Sequence, residues 1–155
     1  MAAADGVLFA CPEYNGSVSG PLKNAIDWAS RHPNNAWAGK PVAMMGAGGG
    51  SGTAKAQLHL RDIAVVVDAL VLNKSVQVQA RHTVIRLFVA VVYSLRPRFA
   101  AGCCRARADA RAGAQAFTPG NCDLATGELT SADARKRVAD LVAALAAWVR
   151  QLAPK

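Results

Sequence analysis

The residues best able to do chemistry lie in two turns. The first, Pro12-Glu13-Tyr14-Asn15, follows the short apolar run Val7-Leu8-Phe9-Ala10-Cys11. Tyr14 offers a flat face and Asn15 both a donor and an acceptor, a pair suited to a planar heterocycle with amide edges. The second is the glycine loop Gly46-Ala47-Gly48-Gly49-Gly50-Ser51-Gly52. It fails the G-x-G-x-x-G dinucleotide fingerprint, because Ser51 and Thr53 stand where the third glycine would fall. Its glycines still let backbone amides approach a flat or anionic ligand, and the helix N-terminus that follows favours negative charge. A plain strand-to-helix turn is the competing reading. Neither turn carries a nucleophile with its base: Ser17 and Ser19 have no histidine nearby in sequence, neither sits in G-x-S-x-G, and Glu13 is a single carboxylate. The chemistry is therefore expected to belong to a bound reactive cofactor that the protein positions.

The elements around these turns are those of an α/β protein. Val7 to Cys11 is continuous and apolar, as in a strand buried on both faces of a parallel sheet, and Pro12 ends it. Ser19 or Gly20 caps a helix with Pro21 near its first position, and Leu22, Ala25, Ile26 and Ala29 form its inner stripe. Pro41 to Met45 is a second buried strand. Thr53 begins a helix running to about Asp68, lined by Ala56, Leu60, Ile63, Ala64 and Val67, and Leu70 to Leu72 starts a third strand. This is βαβ rhythm, which puts both turns at the carboxyl edge of a sheet, where open α/β folds bind ligands. The last helix opens with Thr130 or Ser131 as cap and carries Val138, Leu141, Val142, Leu145, Trp148, Val149 and Leu152 on one core-packing stripe.

The 155 residues suit one domain. The first residues lack a basic n-region and a long apolar core, so no secretory signal is expected. The most apolar stretch, Val84 to Tyr93, is about half the length of a membrane span and contains Arg86. Cys11, Cys103, Cys104 and Cys122 form no C-x-x-C pair, and His32, His59 and His82 are scattered, so no metal is expected and the cysteines read as reduced thiols of a cytoplasmic protein. Net charge is +8. Much of it falls in residues 81–114, with arginines at 81, 86, 96, 98, 105, 107 and 111 against the single acid Asp109. Such a patch could bind nucleic acid, but no reader motif accompanies it, and no nucleic-acid partner is expected.

The stretches "PEYNGSVSGPLKNAIDWASR", "AGKPVAMMGAGGGSG", "AQLHLRDI" and "VLNK" together resemble the NADPH-dependent FMN reductases, a flavodoxin-like family that includes quinone, chromate and azo-dye reductases. The resemblance runs in register from residue 4 to about 80, and "QAFTPGNCDLATGEL" with its following helix looks like the family's tail, over 115–152. It implies a flavodoxin-like three-layer sandwich with a parallel sheet. It also implies an FMN-dependent NAD(P)H oxidoreductase that passes two electrons from NADPH through FMN to a quinone or similar acceptor. Pro12, Glu13, Tyr14, Asn15 and Gly16 would meet the flavin ring, and Ala47, Gly48, Gly49 and Gly50 its pyrimidine end. The family's dimers or tetramers imply a homo-oligomer, with subunit contacts near Gln57, His59 and Arg61.

Where the chain departs from the family, further expectations follow. The family's first strand, its "GSLR"-like phosphate loop, a helix and a second strand would precede Met1, so the first βαβ portion is expected to be lacking and the edge of Val7–Cys11 to be uncovered, an aggregation liability. Ala47 stands for a serine, Leu58 for a tyrosine, and Ser75-Val76 for Pro-Glu. Residues 81–114 read as an atypical basic insertion, with the arginine and alanine bias that translated GC-rich noncoding DNA would give. Two alternatives follow: a catalytically inactive member that acts by associating with other subunits, or a basic nucleic-acid-binding protein.

Overall fold

The computed structural model describes residues 2–31, 33–48, 51–79, 91–95 and 131–152. Strands β1 (Gly6–Ala10), β4 (Pro41–Gly48) and β5 (Leu70–Gln79) run parallel, and β6 (Val91–Leu95) is antiparallel, in the order β5-β4-β1-β6. Helices α1 (Gly20–Ala29) and α2 (Ala54–Val66) cover one face and α3 (Ala132–Leu152) the other. The small strands β2 (Glu13–Tyr14) and β3 (Ser17–Val18) pair separately.

The apolar continuity of β1 follows from this double cover. All five of its residues are buried. Val7 and Phe9, with Cys11 just beyond, face Leu22, Ile26, Ala56, Leu60 and Ala64 of α1 and α2. Leu8 and Ala10 face Ala134, Leu141 and Leu145 of α3. The same alternation in β4 sends Val42 and Met44 one way and Ala43, Met45 and Ala47 the other. A strand with two buried faces has no place for a polar residue. Close approach by α3 also explains Gly6, where a Cβ would lie 2.6 Å from Val149 Cγ2.

Ser131 caps α3, its Oγ accepting from the Ala134 amide at 3.2 Å. Trp37, in the connection after α1, is fully buried. Its Nε1 donates to the Ile26 carbonyl at 3.0 Å, and its ring meets Phe9 at 5.4 Å between centroids. That residue anchors the α1–β4 connection beneath the sheet.

Two expectations change. β4 continues through Gly48, because Gly46, Ala47 and Gly48 pair with Gln77, Val78 and Gln79 of β5; the first half of the glycine loop is strand. And the outer edge of β1 is covered: β6, from within 81–114, pairs with all five β1 residues, from Gly6↔Leu95 to Ala10↔Val91. An antiparallel neighbour at this edge satisfies the backbone donors and acceptors of β1. Among the described residues no helix is long and apolar enough to cross a membrane.

Candidate ligand site

The carboxyl ends of β1 and β4 and the N-terminal end of α2 meet at one place. The chain leaving β1 makes a β-hairpin, Glu13↔Val18 and Tyr14↔Ser17, turned by Asn15 and Gly16. Both turn residues have positive φ, 51° and 73°, the left-handed pair of a type I′ turn. Asn-Gly is the strongest short-range signal for that turn, and it was there to be read between two apolar-flanked pairs. So Asn15, expected as a donor–acceptor for a ligand, also has a backbone reason to be asparagine.

Two tethers fix this hairpin to α2. Glu13 Oε2 accepts from the backbone amides of Lys55 at 2.9 Å and Ala56 at 3.1 Å. These amides sit in the first turn, where no helical carbonyl reaches them. Thr53, the N-cap residue, makes no side-chain cap bond. Its Oγ1 accepts instead from Gln57 Nε2 at 2.9 Å, which also donates to the Val76 carbonyl at 3.0 Å. A carboxylate 42 residues away in sequence thus does the capping, with the helix dipole in its favour. The second tether is a 2.9 Å hydrogen bond between Ser17 Oγ and His59 Nδ1. Sequence reading found no histidine beside Ser17; the fold supplies one from the next turn of α2.

The two predicted turns touch through backbone. A Cβ at Gly46 would overlap the Cys11 carbonyl and Thr53 Oγ1, and one at Gly48 would overlap the Gly52 carbonyl. The Cys11 amide donates to the Met45 carbonyl at 3.0 Å. Burial pushes the Cys11 thiol above its usual range, opposed by hydrogen bonding with Ser19, and the thiol lies against the Pro12 carbonyl at 3.1 Å. It is a core group, not a nucleophile.

The predicted site residues therefore divide. Tyr14 is 44% exposed, Asn15 is exposed and Gly16 half-buried, all at the hairpin tip. Glu13 is adjacent, with its carboxylate committed to α2. Pro12 and Ala47 have buried side chains and can offer a ligand only backbone. Gly48 ends β4 beside them, and Gly49 and Gly50 lie outside the described residues. What the fold brings together is a half-exposed aromatic ring on a pinned hairpin, next to a strand end of three small residues. That combination fits a planar group held by stacking on one side and by backbone on the other. Among the described residues no group of three or more His, Cys, Asp or Glu could hold a metal ion.

Residues 1–83 match the family model for NADPH-dependent FMN reductase. An NADPH:quinone oxidoreductase of Arabidopsis thaliana is 59% identical over 71 residues, covering 46% of this chain and 36% of the relative. An NAD(P)H-dependent FMN reductase of Pseudomonas aeruginosa is 59% identical over 73 residues, covering 46% and 40%. A quinone reductase of Escherichia coli is 40% identical over 129 residues, covering 83% of this chain and 56% of the relative. The chain thus spans well under two thirds of each relative's length.

Proposed function

The chain belongs to the NADPH-dependent FMN reductase family, and from that premise we propose that it is an FMN-dependent NAD(P)H oxidoreductase acting on a quinone or a similar small acceptor. The observation that carries the reading is the half-exposed Tyr14 on a hairpin tied to α2, beside the Gly46–Gly48 strand end. When bound, FMN would supply the redox chemistry, taking hydride from NADPH and returning two electrons to the acceptor. The protein's own part is positional. Tyr14 would lie along the ring, with Asn15 and Gly16 at its edge. The backbone of Pro12 would meet the ring beside them, and the strand end of Ala47 and Gly48, with Gly49 and Gly50 after it in sequence, would meet the pyrimidine end. Glu13 would hold the hairpin that carries Tyr14. With no side-chain nucleophile needed, the paired Ser17 and His59 serve the hairpin's geometry.

Relatives named quinone oxidoreductase, quinone reductase and FMN reductase support this acceptor class. A homo-oligomer forms part of the proposal: α2 exposes Leu58 (60%) and Val65 (74%), two turns apart on one side of the helix. A cytoplasmic site of action suits a nicotinamide-dependent reductase. The test is NADPH oxidation by the purified chain with added FMN and a benzoquinone. The proposal expects consumption of NADPH that requires both. Consumption that ignores added quinone and FMN, or none at FMN concentrations that saturate binding, rejects it.

A further inference from the structure

We infer that Glu13 is a positioning residue whose carboxylate fixes where Tyr14 stands, by tying the hairpin to the first turn of α2. The inference deepens the proposed flavin reading and rests on it only for its consequence for FMN. Glu13 and Tyr14 form one strand of the hairpin and are consecutive, so a Glu13 carboxylate held in place restrains the backbone that carries the Tyr14 ring. That carboxylate holds two amides with one oxygen, at 2.9 and 3.1 Å. Its partners are backbone groups of a 13-residue helix whose Ala56, Leu60 and Ala64 are buried in the core. A strut anchored on such a helix cannot drift with side-chain motion.

The opposite strand is held independently, through Ser17 and His59. Both tethers reach the same helix, at residues 55–56 and 59, one turn apart. The hairpin is therefore held on both of its strands, at Glu13 and at Ser17, which leaves Tyr14 and Asn15 exposed but fixed. The strand end at Gly46 completes the unit. It touches both Cys11, which leads into the hairpin, and Thr53, which leads into α2. With these contacts the two turns of the candidate site keep one relative position, and Glu13 supplies a charged link between hairpin and helix.

The alternative role for Glu13 is local: a cap that stabilises α2 and nothing else. The variants Glu13→Ala and Glu13→Gln separate the two. In wild type, the Lys55 and Ala56 amides should exchange slowly with solvent, and the Tyr14 ring should give one sharp set of NMR signals. In E13A both amides should exchange roughly tenfold faster or more, as expected for loss of a hydrogen bond to a charged group. The Tyr14 signal should shift and broaden, and FMN affinity should fall several-fold. E13Q keeps an acceptor oxygen without the charge, and should show the same three changes at smaller size. Faster amide exchange with a wild-type Tyr14 signal would mean that Glu13 only caps the helix, and overturns the inference. Unchanged amides in E13A overturn it as well. Should E13A not fold, E13Q decides by the same two signals. A wild-type chain that binds no FMN defeats the flavin reading alone, since the Tyr14 and exchange signals still decide the strut.

Discussion

Gly16→Ala tests whether the hairpin is built as described. Gly16 has φ of 73° and follows Asn15 at 51°. A Cβ at Gly16 would meet Lys55 Cδ at 3.6 Å and Nζ at 3.9 Å, ordinary contact distances. Nothing is displaced, so the whole cost is conformational. Placing an L-residue in the left-handed region costs about 1–2 kcal/mol. The core is untouched, so the penalty falls on closing the hairpin, whose opening equilibrium rises by roughly 5- to 30-fold. Amide exchange of hairpin residues 13–18 reads that factor directly, provided they exchange by local opening. Gly16→Asn is the control, because asparagine tolerates this region better, and its effect should be clearly smaller. An alanine variant whose hairpin exchanges as in wild type, or an asparagine variant that exchanges faster than the alanine one, refutes the type I′ assignment and with it the rigid placement of Tyr14.

Trp37→Phe should destabilise the fold by about 0.5–1.5 kcal/mol, because the Ile26 carbonyl loses the indole donor but keeps the Ser30 amide at 3.0 Å, while Trp37→Ala should cost about 3–5 kcal/mol; urea unfolding measures both. The Cys11 thiol, raised by burial, contributes stability that is whole below its ordinary value of 9.0 and is lost as pH rises from there through its folded value. Cys11→Ala should therefore lose less stability than wild type as pH rises above about 9, and parallel stability–pH curves would contradict this. Proline at both 92 and 93 removes two consecutive backbone donors from β6, whichever of them faces β1. The variant should expose the β1 edge and self-associate in light scattering, whereas a monodisperse, equally stable variant would mean that β6 is dispensable.

Much of the architecture was legible because its signals are local. β1 shows as an unbroken apolar run, and α1, α2 and α3 as stripes that the buried Leu22, Ile26, Leu60, Leu141 and Leu145 reproduce. The two turns of the candidate site were found from residue type alone. What escaped was long-range. Glu13 looked like a solitary carboxylate because its partners lie 42 and 43 residues on and are backbone amides, which no residue type marks. Ser17 looked unpaired for the same reason. The glycine loop looked uniform, yet pairing with β5 turns its first three residues into strand. Gln57 was named only for nearby subunit contacts, whereas it is buried and its amide bridges Thr53 and the β5 carbonyl of Val76, partners that lie apart in sequence. The strand at Val91–Leu95 has no clear period, and only the open edge of β1 gives it a place. The Asn-Gly turn is a different case, since its signal was present in the sequence.

The Tyr14 hairpin and the Gly46–Gly48 strand end are proposed to meet the ring of FMN. Titrating FMN into the purified chain while following flavin fluorescence, with Tyr14→Ser alongside, tests it most directly. Saturable quenching at one FMN per chain is expected, with weaker binding and less quenching in the variant, as loss of stacking between the flavin and the Tyr14 ring requires. No saturable change in the wild-type chain, or identical curves for the two proteins, would contradict it.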